Sequence, residues 1–256
     1  MKKVVILNKK EGETPLACLE SFRNKNKEYK DVPMTYAGRL DPMASGVLIV
    51  LTGEECKNKE KYLKLDKEYE FEVLFGFATD TYDILGKVTH SNIPRLCGQV
   101  TNDRIKNLEV DIKNNVKFFT GKFTQTYPMY SSQTVKGKHL FEYARAGEEV
   151  KAPIHEVEVK SLKLLKLSKK CGDVLFKSFE KRIGRVVGDF RQKEILKIWQ
   201  KELEGSQVKY IVASFRIKCG SGTYVRSIAN DLGKRLGTPA LALFIKRTKI
   251  GKYDKV

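Results

Sequence analysis

The stretch Gly38-Arg39-Leu40-Asp41-Pro42-Met43-Ala44-Ser45-Gly46, followed by the apolar run Val47-Leu48-Ile49-Val50-Leu51, is the most informative part of this chain. It places one carboxylate, Asp41, at a glycine-flanked turn that leads into a buried element. An enzyme holds an acidic side chain rigid and partly desolvated at a pocket wall in this way. Asp-Pro also commonly begins a helix, with aspartate as the N-cap and proline at the first helical position. The dipeptide alone favours a helix start, whereas the motifs elsewhere in the chain favour catalysis.

The composition indicates a large, strongly basic domain. The chain has 256 residues, with 49 Lys and Arg against 31 Asp and Glu and a formal net charge of +18. This length is enough to bury a sizeable core. The positive excess is interleaved with 13 Phe and 11 Tyr residues, which indicates a polyanionic partner, with nucleic acid as the first candidate. A lysine-rich surface that is simply solvated is the alternative.

Cysteine usage and the N-terminus predict a cytoplasmic protein. The five cysteines, at positions 18, 56, 97, 171 and 219, are odd in number and lack C-x-x-C spacing, which indicates neither a disulfide framework nor a zinc site. The apolar run after Lys3 is too short for a signal peptide, and no run approaches the ~18 apolar residues of a membrane span. There is no phosphate loop or dinucleotide fingerprint. We expect no membrane, no metal and no cofactor.

Hydrophobic patterning predicts a mixed set of strands and helices. Residues 67–76 alternate charged with apolar side chains, which predicts a strand with Tyr69, Phe71 and Val73 on one buried face. Other strands are expected at 1–7, 157–167, 210–219 and 243–252, and helices at 14–22, 101–118, 189–203 and 223–236. The apolar face of the 189–203 helix could dock on the core or on a partner. Without a strict βαβ rhythm, the order favours an α+β fold with a mixed, mostly antiparallel central sheet flanked by helices.

Arg226 is the candidate partner of Asp41. A buried carboxylate tends to take up a proton, so a site built on Asp41 needs a permanent cation to keep it ionised. Arg226 follows Gly222-Thr223-Tyr224 and lies beside the apolar stripe of the last predicted helix. Arginine suits the task better than lysine because its planar fork can grip two oxygens and keeps its proton. A solvated arginine on a helix surface is the alternative.

The nonamer around Asp41 resembles the catalytic-aspartate motif of TruB-type tRNA pseudouridine synthases, G-x-L-D-P-x-A-x-G, and the other motifs of that family follow in the family's order. The resemblance runs from Leu7-Asn8-Lys9 to Ile245-Lys246-Arg247-Thr248 and leaves out the stretch around 168–206. It implies a single pseudouridine-synthase catalytic domain over residues 1–256. Within it, a thumb-like arm is expected at about 127–151 and a basic insertion at about 168–206.

The resemblance implies isomerisation of uridine to pseudouridine in the T-loop of tRNA, at the position that the family designates 55. That reaction breaks the N1–C1′ bond, turns the uracil and rejoins it through C5, which requires a carboxylate as nucleophile or as stabiliser of a cationic sugar. The base must also be flipped out of a folded RNA. Alternatives are the same chemistry on ribosomal RNA, or an RNA-binding or RNA-folding factor with secondary catalysis. We expect a monomer that acts on the tRNA T-arm without a protein partner.

The resemblance also implies individual roles. The catalytic residues would be Asp41, Tyr69, Arg226 and Asp80. Tyr69 would stack on the uracil or, in a bolder alternative, move the proton from C5, and Asp80 would buttress Arg226 unless its loop is only an Asx-type turn. Residues expected to contact RNA are Lys9, Tyr36, Arg39, Lys136, Lys138, Tyr143, Arg145, Tyr224 and Arg247.

The chain departs from the family pattern at four places. Lys10 replaces a usual proline, Tyr36 a usual histidine, and Arg39 a residue that is usually small or neutral. The fourth departure is at 253–256, where many relatives continue into a PUA-type RNA-binding domain. Loss of that domain would remove a grip on the acceptor end, for which the basic insertion would compensate.

Overall fold

An eight-stranded sheet organises the part of the chain that the computed structural model describes, residues 2–92 and 102–254. Cys97 and the first residue of the helix expected at 101–118 lie outside the described residues. In chain order, the strands are β1 (Val4–Lys9), β2 (Met34–Ala37), β3 (Ala44–Thr52), β4 (Lys67–Phe75), β5 (Phe77–Thr79), β6 (Val88–Ser91), β7 (Gly121–Thr126), β8 (Thr134–Val135), β9 (Lys138–His139), β10 (Ile154–Cys171), β11 (Lys209–Cys219) and β12 (Ala240–Ile250).

The large sheet is mixed and mostly antiparallel. Its order is β1-β3-β12-β4-β11-β10-β7, with β2 also paired to β3. Among these pairs, β3 and β12 run parallel and the others antiparallel. Two short ladders, β5 with β6 and β8 with β9, lie apart from it. This confirms the expected α+β class with a mixed central sheet.

The helices flank this sheet. They are α1 (Pro15–Lys25), α2 (Lys59–Leu63), α3 (Asn102–Val116), α4 (Leu140–Ala146), α5 (Gly172–Ile183), α6 (Gln192–Leu203) and α7 (Val225–Arg235), with single 3-10 segments at Lys27–Tyr29, Gly53–Asn58 and Lys117–Phe119. Thr14 caps α1 as expected, because its Oγ1 accepts a hydrogen bond from the Ala17 amide at 3.1 Å. The N-cap of α7 is Tyr224 rather than Thr223, whose hydroxyl donates to the Gly220 carbonyl instead.

Both faces of the sheet are buried. On one face, the predicted stripe Tyr69, Phe71 and Val73 of β4 packs in one apolar cluster with α3 and α7. On the other face, Leu74 of β4 joins a second cluster with α5 and α6. Burying apolar area on two faces contributes most of the driving force for such a fold.

The stretch around 168–206, for which one amphipathic helix is expected, contains two. Strand β10 continues to Cys171, and α5 and α6 then form a helical hairpin, residues 172–203. Trp199 of α6 is fully buried, its Nε1 donates to the Ile84 carbonyl at 2.9 Å, and its ring meets Phe77 and Phe179 edge-on. Of the two docking alternatives, the structure shows packing on the core.

Within the described residues, no helix has both the length and the apolar character needed to cross a bilayer. The same residues contain no cluster of three His, Cys, Asp or Glu side chains arranged to hold a metal ion. Cys18, Cys56, Cys171 and Cys219 are free thiols.

Candidate active site

Asp41 lies in a tight turn, not at the start of a helix. The Ala44 amide donates to the Asp41 carbonyl at 3.0 Å, and the chain then enters β3. The helix-start interpretation of Asp-Pro is wrong because β3 pairs in parallel with β12 from Ala44 onward. Gly46 makes this close pairing possible: its φ is +107°, and a Cβ there would lie 2.1 Å from the Arg247 carbonyl oxygen.

Lys9 holds the Asp41 turn from one side. Its side chain is fully buried, and its Nζ donates to the carbonyls of Glu13 at 2.7 Å, Lys10 at 2.9 Å and Pro42 at 3.5 Å. Burial lowers the pKa of the Lys9 ammonium to about 8, against the opposing fields of Glu13 and Asp41. The prediction that Lys9 contacts RNA is therefore wrong, since its donors are used on backbone carbonyls.

Arg247 holds the same turn from the other side. Its guanidinium is buried and donates to the carbonyls of Val47 at 2.8 Å, Arg39 at 3.1 Å and Gly38 at 3.2 Å. Arg247 also lines the cavity described below, so contact between Arg247 and RNA stays a prediction. A buried charge is tolerated only when its hydrogen-bonding groups have partners. Here the carbonyls of Gly38, Arg39 and Val47 accept the hydrogen bonds of the guanidinium.

The structure brings Asp41 and Arg226 together, although 185 residues separate them in the sequence. Arg226 Nε donates to Asp41 Oδ2 at 2.6 Å. The Arg226 side chain is 3% exposed and the Asp41 side chain 38%. The other guanidinium nitrogens donate to the carbonyls of Thr81 and Tyr130, the latter at 3.2 Å. This arrangement fixes Arg226 and leaves the carboxylate accessible to a ligand.

Asp83 supplies a second carboxylate beside Arg226. Its Oδ2 lies 3.9 Å from Arg226 Nε, and its Oδ1 accepts hydrogen bonds from Thr81 Oγ1 at 2.8 Å and the Leu85 amide at 2.9 Å. Burial raises the pKa of Asp83 to about 6, with Arg226 opposing the shift and Asp41 adding to it. For Arg226, burial disfavours the charge, but Asp41 and Asp83 outweigh it and raise the guanidinium pKa.

The prediction that Asp80 buttresses Arg226 is wrong. Asp80 Oδ2 accepts from Arg191 Nη1 at 2.8 Å, and Asp80 Oδ1 accepts from the Lys87 amide at 2.8 Å. Between the two aspartates, Tyr82 adopts a φ of +64°, and the chain reversal there turns Asp83 toward Arg226. Sequence reasoning missed Asp83, although the apolar residues that follow it were a signal that this aspartate, rather than Asp80, enters the interior.

A cavity of about 590 Å³ opens above the Asp41–Arg226 pair. Its lining includes both carboxylates, the guanidinium and a set of aromatic rings: Tyr36, Tyr69, Phe141, Phe190, Tyr130 and Tyr224. Apolar and aromatic walls around a few convergent polar groups are the usual form of a small-ligand site. Five of the predicted RNA contacts lie at its wall: Tyr36, Arg39, Arg145, Tyr224 and Arg247.

Tyr69 and Tyr224 present rings that are firmly held. Burial raises the pKa of the Tyr69 phenol, while Arg247 opposes the shift by charge and by a hydrogen bond. Burial likewise raises the pKa of Tyr224. The backbone of Tyr224 is fixed by Gln125, whose Oε1 accepts from the Tyr224 amide at 2.8 Å and whose Nε2 donates to its carbonyl at 3.1 Å. A phenol with a raised pKa is a poor base, which favours stacking as the role of Tyr69.

The arm at about 127–151 has regular structure, with the β8–β9 ladder followed by α4. Lys138 Nζ pairs with Glu148 at 2.8 Å and lies 4.7 Å from the centre of the Tyr143 ring. The Tyr143 hydroxyl donates to the Val135 carbonyl at 3.1 Å. These contacts hold the β8–β9 ladder against α4 and the segment that follows it.

The other two predicted RNA contacts of the arm, Lys136 and Arg145, are both exposed but differ in their contacts. Lys136, at the tip of the β8–β9 ladder, is exposed. Arg145 donates to the Asp189 carbonyl at 3.0 Å, which ties α4 to the loop of the helical hairpin. RNA contact by Lys136, Lys138, Tyr143 and Arg145 stays a prediction.

Solved structures share this architecture. The chain aligns over 99% of its length with half of a chain in the crystal structure of a Cbf5-Nop10-Gar1 complex, with a TM-score of 0.57 and 18% identity. It also aligns over 99% of its length with 49% of a chain in the structure of an H/ACA RNP bound to a substrate RNA containing 2′-deoxyuridine, with a TM-score of 0.55 and 17% identity. The chain thus shares its fold with these solved structures.

Sequence comparison gives the family. The profile described as TruB family pseudouridylate synthase (N terminal domain) matches residues 25–183. The tRNA pseudouridine synthase B of Lactobacillus acidophilus is 32% identical over 251 residues, 98% of this chain and 69% of that protein. Those of Caldanaerobacter subterraneus and Bacillus cytotoxicus are 33% and 31% identical, covering 86% and 99% of this chain and 59% and 67% of their own lengths. The chain belongs to the TruB family.

Proposed function

We propose that this protein isomerises uridine to pseudouridine in the T-loop of tRNA, at the position that the family designates 55. The observation that carries the proposal is the 2.6 Å ion pair between Asp41 and a buried Arg226, at the base of an aromatic-lined cavity in a protein of net charge +18. Family membership and relatives named tRNA pseudouridine synthase B support the same reaction.

Asp41 performs the central step. The guanidinium of Arg226 donates to Oδ2 of the carboxylate and so fixes its orientation, while the exposed part of the Asp41 side chain faces the cavity. That carboxylate attacks the substrate or stabilises a cationic sugar as the N1–C1′ bond breaks. The bond from C5 to C1′ then forms and any bond to Asp41 breaks, while C5 loses its proton and N1 gains one. Substrate and product contain the same atoms in the same oxidation state, so the net reaction needs no redox partner or energy source.

The aromatic wall receives the base. A uridine that leaves its stack in RNA loses stacking energy, which the rings of Tyr69 and Tyr224 replace within the cavity. Asp83 acts through Arg226, since its carboxylate lies 3.9 Å from the same guanidinium nitrogen, Nε, that donates to Asp41. The raised pKa of the Tyr69 phenol makes stacking, rather than proton removal from C5, the role that we assign to it.

The arm and the rim of the cavity hold the RNA. Tyr36 and Arg39 at the cavity wall meet the nucleotides beside the target, and the exposed Lys136 reaches phosphates of the T-arm. We further propose that the chain acts as a single catalytic domain and as a monomer in the cytoplasm, where its tRNA substrate is found.

The test is pseudouridine formation on a synthetic T-arm hairpin by the purified protein. Wild type is expected to convert the T-loop uridine, and Asp41→Asn to form no product while binding the hairpin within a few-fold of wild type. Full activity of Asp41→Asn, or no product with wild type, would overturn the proposal. Mapping pseudouridines in total RNA with and without the protein separates tRNA from ribosomal RNA as the target.

A further inference from the structure

The loop that joins α5 to α6 reaches the candidate active site. Phe190 and Arg191, at the end of this loop, both line the cavity. Arg191 Nη1 donates to Asp80 Oδ2 at 2.8 Å, and the guanidinium lies 4.4 Å from the centre of the Tyr130 ring. One side chain of the helical hairpin thus binds Tyr130, which lines the cavity, and Asp80, which precedes the lining residue Thr81 in the sequence.

Tyr130 links this contact to the catalytic pair. Its carbonyl accepts a hydrogen bond from Arg226 Nη2 at 3.2 Å, and Arg226 in turn orients Asp41 at 2.6 Å. The ring of Tyr130, held by Arg191, and the carbonyl of Tyr130, held by Arg226, belong to the same residue. Holding the ring therefore limits displacement of Tyr130 as a whole, and with it displacement of the carbonyl that Arg226 binds.

The backbone of Arg191 is in a conformation that rarely suits an arginine. Its φ is +64°, in the left-handed region where glycine is favoured. The loop itself is held by Gln192, whose Nε2 donates to the carbonyls of Val186 at 3.0 Å and Gly188 at 2.6 Å. The shape of the loop therefore does not depend on the guanidinium, and an unfavourable residue type occupies a position from which it reaches the cavity.

We propose that Arg191 is a positioning residue for the reaction proposed above, and the inference rests on that proposed function. By holding Asp80 and the ring of Tyr130, it fixes the Tyr130 carbonyl against Arg226, and Arg226 against Asp41. The helical hairpin is then part of the active site as well as part of the core.

The test is single-turnover conversion of the T-arm hairpin, with the rate constant and the Kd for RNA measured separately. Arg191→Gly removes the guanidinium and suits the left-handed backbone, so we expect a Tm at or above that of wild type. The rate constant should fall about tenfold with Kd within about twofold of wild type, since the residue acts on geometry rather than on binding. Arg191→Lys retains the charge but not the planar fork, so its rate constant should lie between those of wild type and Arg191→Gly.

Two further variants complete the design. Lys193→Ala removes a positive charge from an exposed residue of α6 that does not line the cavity, and should leave rate and Kd unchanged. Asp80→Asn should slow the rate, and combining it with Arg191→Gly should add little, because the two residues form one contact.

Two results would overturn the proposal, and a third would remove Asp80 from it. An unchanged rate in Arg191→Gly would overturn this inference alone, provided that wild type forms product. A rise in Kd by the same factor as the fall in the rate constant would make Arg191 a direct RNA contact instead. Additive losses in the double variant would remove Asp80 from the arrangement, whereas a wild type without activity would refute the proposed function itself.

Discussion

The base and the rim of the cavity are built on different principles. At the base, the charged groups of Arg226, Asp83, Lys9 and Arg247 are buried and bond to one another or to backbone carbonyls. At the rim, the charged residue Arg39 is exposed to water, and so is Lys136 on the arm. Charges at the base interact in a medium of low dielectric, where losing one partner strands another, while those at the rim are screened. Single substitutions should therefore have large effects at the base and small effects at the rim.

Arg226→Lys should have the largest effect. An ammonium can replace at most part of the contacts that the guanidinium makes with Asp41, Thr81 and Tyr130. Breaking a buried charged network leaves groups unpaired at a cost of about 3–5 kcal/mol, which predicts a rate loss on the order of 10² to 10³. Single-turnover rate and RNA affinity measured side by side check this. Equal losses in rate and affinity would assign Arg226 to RNA binding.

Trp199→Ala tests how firmly the helical hairpin is joined to the core. The indole is fully buried between Phe77 and Phe179, so its removal should lower the free energy of unfolding by about 3–5 kcal/mol. Val174→Ala in the same hairpin is the control, since that side chain is 58% exposed. Denaturant titration measures both, and similar small losses would contradict the packing described here. Because the hairpin belongs to the core, deleting it would not be a clean test of RNA binding.

Asp83→Asn tests the buried charges at the base of the cavity through the pH dependence of the free energy of unfolding. The pKa of Asp83 is raised from 3.8 to about 6 in the folded protein, mainly by burial. Between these values the folded chain binds more protons than the unfolded chain, so the contribution of Asp83 to the free energy of unfolding falls as pH rises. The fall is at most about 3 kcal/mol between about pH 4 and pH 6, and Asp83→Asn should lack it. Parallel stability curves for the two proteins would contradict the raised pKa.

Lys136→Ala should have the smallest effect. Removing one exposed phosphate contact should weaken RNA binding only a few-fold and reduce the slope of log K against log salt by about 1. Lys57→Ala, at an exposed residue that does not line the cavity, is the matched control. A salt slope identical to wild type would remove Lys136 from the RNA contacts.

Local patterns predicted the parts of the fold that depend on local physics. Alternation of charged and apolar residues located β4 with Tyr69, Phe71 and Val73 on the buried face, and Thr14 capped α1 as expected. The apolar stripe of α7 also placed Arg226 on the side that faces Asp41. In each case the pattern that supports the prediction lies within one strand, one helical turn or one face of a helix.

Most of what the sequence did not predict depends on distant backbone. Lys9 and Arg247 are basic, as residues that contact RNA usually are. Their N–H groups nevertheless donate to carbonyls of the Asp41 turn, which are up to 209 positions away in the sequence. The choice between Asp80 and Asp83 depended on the left-handed backbone at Tyr82, which is unusual for a tyrosine. The helix α5 was missed although Leu175, Phe179 and Ile183 recur at helical spacing, which was a local signal for a second amphipathic helix.

The parallel pairing of β3 with β12 makes the order of synthesis matter. Asp41 enters the ribosome exit tunnel early, but the strand beside β3 and the Arg247 side chain that supports the Gly38 carbonyl come from the last fifteen or so residues of the described chain. Such contacts, among the longest-range in the chain, form late in folding because of their loop-closure entropy. A nascent chain that still lacks β12 therefore carries its acidic turn without the hydrogen bonds that Arg247 donates to it.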